Sequence, residues 1–313
     1  MNRLSHTARN SRGKAPLLEH TPRAQALEAA VRRLRRARLY YGHGTDNPRD
    51  DAAALLAHAL RLRRPLQSSD LSAPMSMAAA RRFDALLERR IRERVPAVYL
   101  TQTCWFAGLR FHVDERVLIP RSPIAELVEN RFAPWVQPDA VRRIADLGTG
   151  SGCIALACAM AFPKARVDAV DIDPSALEVA RMNRSALGLQ RRVRLVKSDF
   201  FRGLKGCRYD IIVSNPPYVG AAEYAGLPPE YAHEPEQALR SGPDGMQAVR
   251  VLLREALRHL TPQGVLIVEV GNTEIAVQRA FPRLPFVWLS FTRGGGGVFL
   301  LTAQQLSASH GSY

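Results

Sequence analysis

The chain has 313 residues, about two domains by length, with 46% hydrophobic and 23% charged residues, a composition that excludes a disordered chain. No apolar run approaches the ~20 residues a spanning helix needs, so no membrane partner is expected. The net charge is +15 and uneven: residues 1–100 hold 20 Lys+Arg against 9 Asp+Glu, and the rest hold 24 against 20. A basic first third points to an anionic partner such as nucleic acid or a ribonucleoprotein. Solvated helix faces in an arginine-rich composition account for the same count, so charge alone leaves both readings open. Arg3, Arg9, Arg12 and Lys14 precede no apolar stretch, so a secretory signal is not expected. Cys104, Cys153, Cys158 and Cys207 form no CxxC pair and fit no zinc spacing; they read as free thiols of a reducing cytoplasm, with no metal site.

Residues 1–20 lack periodicity and read as a disordered basic tail. Thr21 as N-cap and Pro22 as first helical residue open a helix whose apolar positions are Leu27, Val31 and Leu34, before Gly42 and Gly44. Asn47-Pro48 opens a second helix carrying Leu55, Leu56 and Leu60. A third runs from about Ser76 with Phe83, Leu86, Leu87 and Ile91 on one stripe, and Pro96 ends it. Residues 21–97 therefore read as a small all-α domain. Residues 98–123 read as a β-hairpin linker turning at Ala107-Gly108 and leading into Ile119-Pro120-Arg121-Ser122-Pro123. From 124 to 313 a helix over 124–134 precedes alternating elements: strands 141–146, 166–171, 192–197, 209–214 and 264–270, helices 152–162, 174–187, 244–260 and 273–280. Two late strands fall near 286–291 and 297–302. Such alternation predicts an α/β fold, a mostly parallel sheet covered by helices on both faces.

The first of these strands ends in Asp146-Leu147-Gly148-Thr149-Gly150-Ser151-Gly152. Glycine lets the backbone approach a bound nucleotide closely. The spacing is G-x-G-x-G rather than the dinucleotide G-x-G-x-x-G, and no Lys-Ser/Thr pair follows, which excludes a P-loop. Asp146 repels a pyrophosphate but suits a ligand with positive charge. Asp171, at the tip of the second strand, stands where a ribose's hydroxyls are held, while Asp173 caps the next helix. Asp199 and Phe200, at the third tip, offer an acceptor for adenine's amino group and a flat apolar surface for its ring. The fourth strand runs into Asn215-Pro216-Pro217-Tyr218. Two prolines fix the backbone there and remove two N–H donors, leaving carbonyls beside an amide side chain and an aromatic ring. That cluster suits a planar –NH2 group.

Together these motifs resemble class I S-adenosylmethionine-dependent methyltransferases that act on an amide or exocyclic amine, with a seven-stranded Rossmann-like fold over 124–313. The resemblance implies that Asp146, Gly148, Thr149, Gly150, Ser151, Gly152, Asp171, Asp199, Phe200 and Asn215 bind S-adenosylmethionine. It implies Asn215, Pro216, Pro217 and Tyr218 as the catalytic cluster, with Arg121, Asn215 and Tyr218 on the substrate. A helical N-terminal domain, a hairpin, an I-P-R loop and then the catalytic fold is the order found in protein glutamine N5-methyltransferases. Release-factor enzymes of that group carry P-R-P-D-T-E after the hairpin, whereas this chain has Pro120-Arg121-Ser122-Pro123-Ile124-Ala125-Glu126. That loop, together with Tyr41–Pro48, Tyr231–Glu236 and Gly294–Val298, resembles the branch acting on a glutamine of the third large-subunit ribosomal protein. The resemblance thus implies a ribosomal-protein partner, and the basic helical domain admits direct contact with rRNA in an assembly intermediate.

An amide nitrogen's lone pair is delocalised, so the chemical task is to hold the nitrogen and stabilise the charge that develops on it. No obligatory general base is expected: His43, His112 and His233 lie in loops or near turns and read as solvated. Three other readings remain at this stage: a release-factor glutamine methyltransferase, an adenine N6-methyltransferase of nucleic acid, and a non-catalytic adenosine-binding module.

Overall fold

The computed structural model describes residues 21–309, so the basic tail expected over 1–20 lies outside it. The chain forms two compact units. Among the described residues, one comprises residues 21–38 and Pro48–Glu93; the other comprises Leu39–Asn47 and residues 94–309.

The smaller unit contains α1 (Arg23–Arg36), α2 (Pro48–Ala59) and α3 (Met77–Arg92). Leu27, Val31 and Leu34 of α1, Leu55 and Leu56 of α2, and Phe83 and Leu87 of α3 form its core. Leu60, Leu86 and Ile91, expected to join them, are only half-buried. The first helix begins one residue later than its sequence signals suggest. Met75 donates its N–H to the Thr21 carbonyl and Arg23 donates to the Ala73 carbonyl, so Pro22 stays extended and occupies the cap. Ser76 caps α3, accepting from the Ala79 N–H at 3.3 Å.

No apolar residue fills the core position at Arg90, which is 2% exposed. Its Nε donates to Asp51 Oδ2 at 2.6 Å, and Asp51 is fully buried on α2. Removing one partner of a buried pair costs up to about 3–5 kcal/mol, whereas an apolar pair of similar volume is tolerated. Asp51→Ala is expected to lower amide-exchange protection across α2 and α3. The double change Asp51→Leu with Arg90→Met is expected to restore most of it, and equal loss in both variants would show that the pair is not the determinant.

The larger unit opens with α4 (Ala97–Thr101) and the hairpin of β1 (Cys104–Phe106) and β2 (Leu109–Phe111). Both turn residues, Ala107 and Gly108, have positive φ, as a two-residue type I′ connection requires. The next helix, α5 (Ile124–Glu129), stops five residues short of its expected end, because Arg131 and Phe132 adopt left-handed backbone. There follow β3 (Arg143–Leu147), α6 (Cys153–Ala161), β4 (Arg166–Asp171), α7 (Pro174–Ala186), β5 (Val193–Lys197) and β6 (Tyr209–Ser214). Two short helices, α8 (Ala221–Ala225) and α9 (Glu236–Leu239), precede α10 (Gln247–His259), β7 (Leu260–Glu269) and α11 (Glu274–Ala280). The chain then forms β8 (Val287–Trp288), β9 (Val298–Thr302) and α12 (Ala303–Ala308).

Seven strands make one sheet in the order β5-β4-β3-β6-β7-β9-β8. The first five are parallel, and β9 runs antiparallel to both of its neighbours. Ile211, Ile212 and Val213 of β6 are all 0% exposed, which is why this strand reads as a continuous apolar run rather than an alternation. Strand order reverses between β3 and β6, so the loops leaving their carboxyl ends diverge and open a crevice, the usual ligand position in such sheets. Among the described residues no helix is long and apolar enough to cross a membrane.

Candidate functional site

The glycine turn after β3 is tied to the tip of β4. Gly148 and Thr149 both donate backbone N–H groups to the Val170 carbonyl at 2.9 Å, and Gly150 donates to Asp171 Oδ2 at 2.8 Å. Gly148 and Gly150 have φ of +74° and +53°. A side chain at Gly150 would protrude into open space, and one at Gly148 would touch the Asn215 carbonyl at 3.8 Å. Asp146, expected to face the ligand, instead lies fully buried beneath the turn. Its Oδ2 accepts from Thr149 Oγ1 at 2.6 Å and from the Ala155 N–H at 3.0 Å, clamping the turn to α6. Burial pushes its carboxyl up to about 7, and Oδ1 has no hydrogen-bond partner.

A cavity of about 360 Å³ opens at the carboxyl ends of these strands. Gly148, Gly150, Asp171, Asp199, Phe200, Asn215 and Pro217 line it, so seven residues singled out by sequence converge. Thr149, Ser151 and Gly152 belong to the turn but do not line the cavity, and neither do Pro216 and Tyr218. Asp171 Oδ1 accepts from the Asp173 N–H at 3.0 Å, and burial raises this carboxyl above its ordinary value. Phe200 has φ +46°, rare for a bulky residue. The Ser198 hydroxyl stabilises it, donating to the Phe200 carbonyl at 3.0 Å while accepting from the Gly203 N–H at 2.7 Å. Ile172, 58% exposed, adds an apolar surface beside Asp171 that sequence reasoning missed.

On the β6 side, Ser214 Oγ donates to the Leu147 carbonyl at 2.6 Å and pins the strand ends together. Asn215 Oδ1 is buried with no hydrogen-bond partner. The amide stands near Glu269, at the end of β7, which is 5% exposed, and lowers its carboxyl slightly. Glu269 accepts from Ser122 Oγ and, at 3.4 Å, from the Tyr218 hydroxyl. Burial pushes the Glu269 carboxyl up to about 7, against the lowering effect of these donors and of the nearby Arg121. The Tyr218 ring lies over Gly271, where a Cβ would come within 2.6 Å of it. Glu269 is the main residue that sequence reasoning missed. Its signal was present, a carboxylate closing an apolar strand as Asp171 and Asp199 do.

Arg121, expected on the substrate, turns inward. Its Nη2 donates to Glu234 Oε2 at 2.7 Å, and its guanidinium lies 5.5 Å from the centre of the Tyr231 ring. Glu234 is 4% exposed and also accepts from the Ile119 N–H at 3.1 Å. His43, read as a solvated loop histidine, is 2% exposed. Its ring packs 4.4 Å from that of Tyr231, centre to centre, with Tyr40 beside it. The Tyr40 N–H donates to the buried Glu230, so residues 39–47 are integral to the larger unit. His112 bonds Asp114 at 3.0 Å, and its backbone is held by the Asn183 side chain, which also reaches the Ser151 carbonyl at 2.9 Å.

The Methyltransferase small domain family matches residues 131–244, and the PrmC N-terminal domain family matches residues 25–101. A ribosomal protein uL3 glutamine methyltransferase of Neisseria meningitidis serogroup B is 48% identical over 281 residues, covering 90% of this chain and 92% of that protein. A protein of the same name from Burkholderia pseudomallei is 46% identical, covering 90% of this chain and 94% of its own length. The N-terminal match covers the helical unit together with residues 39–47 and 94–101 of the larger one, and the methyltransferase match spans the glycine turn, Asp171, Asp199 and the Asn-Pro-Pro-Tyr segment, so motif order, fold and identity agree: this chain belongs to the ribosomal protein uL3 glutamine methyltransferase family.

Proposed function

We propose that the protein transfers a methyl group from S-adenosylmethionine to the side-chain amide nitrogen, N5, of a glutamine in ribosomal protein uL3. The observation that carries this reading is the buried, unpartnered Asn215 Oδ1 at the edge of the cavity. A carboxamide –NH2 is the group that such an acceptor fits.

The residues present suit the donor. In this reading Asp171 holds the ribose hydroxyls, Asp199 accepts from the adenine amino group, and Phe200 with Ile172 flank the ring. The open side of Gly150 admits close approach. S-adenosylmethionine, when bound, supplies a methyl group already activated on a sulfonium. The chain's own residues then deal with the weak nucleophile. Asn215 Oδ1 and the Pro216 carbonyl accept the two amide hydrogens and favour the positive charge growing on nitrogen. Tyr218 sets the amide plane, which supplies the orientation part of the rate. In this reading Glu269 takes the Asn215 Nδ2 end and leaves Oδ1 free for substrate.

In the same reading the helical unit recognises the ribosomal protein in the cytoplasm, and its basic surface accepts a substrate already associated with rRNA. The direct test is mass spectrometry of purified uL3 treated with enzyme and donor, with DNA as parallel acceptor. One methyl on one glutamine is expected. An unmodified uL3 alongside N6-methyladenine in the DNA would reassign the site to a nucleic-acid enzyme.

Asn215→Ala is expected to abolish transfer with cofactor affinity by calorimetry nearly unchanged, because its contact is with the amide. Asp171→Ala is expected to weaken cofactor binding by about 1–3 kcal/mol, the range for hydrogen bonds to a charged acceptor. Loss of cofactor binding in the first variant, or none in the second, would break this division of labour.

Glu269 yields a pH prediction. Its folded carboxyl holds a proton up to about 7 rather than the ordinary 4.5. Such a group contributes stability that is complete below 4.5 and lost as pH rises through about 7. Glu269→Gln removes that loss. The variant's melting temperature relative to wild type is therefore expected to climb between pH 4.5 and 7 and then level off; a pH-independent difference would contradict the buried-carboxyl account. Because glutamine keeps an acceptor for Asn215 Nδ2, it is also expected to retain more transfer activity than Glu269→Ala.

A further inference from the structure

The carboxyl ends of the parallel strands carry the cofactor cavity; their opposite, amino ends carry a second concavity of about 370 Å³. Arg143 at the start of β3, Arg166 at the start of β4, Arg184 on α7, and Arg191, Arg192 and Arg194 around the start of β5 line it. Asp168 is the only acidic side chain among the lining residues, and it is fully engaged. It accepts two bonds from Arg194 at 2.8 Å each and one from the Tyr209 hydroxyl at 2.6 Å, with Arg143 at 3.8 Å. Six guanidinium groups thus face one carboxylate.

Elsewhere in this unit many exposed arginines sit on carboxylates, as Arg181 does on Glu178, Arg250 on Asp244 and Arg293 on Glu129, while Arg110, Arg279 and Arg283 do not. In the concavity, Arg184 and Arg192 spend donors on backbone carbonyls, while Arg166 and Arg191 are exposed and have no acidic partner. Arg143 and Arg166 are moreover register partners in adjacent strands, and like charges placed opposite one another destabilise a sheet. Asp168 at 3.8 Å and the Tyr209 ring, 5.3 Å from the guanidinium, offset Arg143, but nothing acidic offsets Arg166. An anion resting between the two strands would satisfy Arg166, because planar guanidinium groups match phosphate oxygens in pairs.

We propose that this concavity binds the phosphate backbone of RNA, on the end of the sheet away from the transfer site. The spacing suits a polyanion rather than a single phosphate, since the cations come from three strands, one helix and the turn between α7 and β5. This RNA surface is distinct from anything the helical unit does, and it does not depend on the identity of the methylated residue. Its failure would leave transfer to free uL3 standing.

The test compares wild type with the triple variant Arg143→Gln, Arg166→Gln and Arg191→Gln in the full chain. Binding of a fluorescein-labelled RNA hairpin is followed by anisotropy across a salt series, and transfer to free uL3 is measured in parallel. Each phosphate left without its arginine is expected to lower the slope of log affinity against log salt by about 1, so a decrease of about 2–3 is expected, with transfer to free uL3 unchanged. An unchanged slope would overturn the proposal and assign RNA binding to other arginines. Competition by poly-glutamate as effective as competition by unlabelled RNA would also overturn it, by showing a general anion site. A charge-reversed pair, Arg166→Glu with Arg191→Glu, is expected to lower the slope at least as far, and the unchanged transfer activity reports that each variant is folded.

Discussion

The tie between the glycine turn and the tip of β4 is the constraint on which the rest of the site depends. A strand that ends in a tight turn leaves backbone N–H groups that must find acceptors. Here three successive donors, from Gly148, Thr149 and Gly150, go to the Val170 carbonyl and the Asp171 carboxylate. The turn is thereby drawn toward β4, and Asp171 is fixed by the same bonds that fix the turn. Asp146 completes the clamp from below, joining Thr149 to the first turn of α6. The site's geometry is set by backbone donors, which is why positive φ at Gly148 and Gly150 matters more than any side chain there.

The acceptor half is built on the opposite principle, a buried carboxylate that organises side chains. Glu269, at the end of β7, gathers Ser122 from the post-hairpin loop and Tyr218 from the segment after β6. Three separate stretches of chain therefore converge on one group. Ser122 stands where the release-factor pattern has a second proline, and a proline could not donate the hydroxyl bond seen here. Glu234 performs the same service for the start of that loop. It binds Arg121 and the Ile119 N–H, so the loop carrying Ser122 is held from both sides.

Much of this was legible in the sequence where local chemistry decides the structure. The strands 166–171 and 209–214 match the residues expected, because a helix cap at Asp173 and two prolines after Asn215 punctuate them unambiguously. The convergence of Gly148, Asp171, Asp199, Phe200 and Asn215 followed from the rule that parallel strands point their carboxyl ends one way. What was not legible depends on partners far along the chain. Arg90 reads as a surface residue until Asp51, 39 positions earlier, is seen beneath it. Tyr40 contacts Glu230 across 190 residues, so no local pattern could reveal that residues 39–47 complete the larger unit or that His43 is buried. Arg121 has the polarity of a substrate ligand, but its conformation is decided by Glu234.

The same distinction governs the charge. Counted along the chain, the first hundred residues are strongly basic and the remainder nearly balanced, 24 cationic side chains against 20 anionic. That balance is an average over a surface, and a partner reads local potential instead. In the larger unit Asp171, Asp199 and Glu269 stand at strand tips, and Glu178, Asp244 and Glu129 are already paired with arginine. The arginines of the strand starts are left in excess by subtraction, since the parallel sheet sends Asp171, Asp199 and Glu269 to one end and Arg143, Arg166 and Arg194 to the other. A parallel sheet therefore does more than create a crevice at its carboxyl edge. In this chain it also clusters Arg143, Arg166 and Arg194 at the opposite end from Asp171, Asp199 and Glu269, a local contrast that a linear count cannot register.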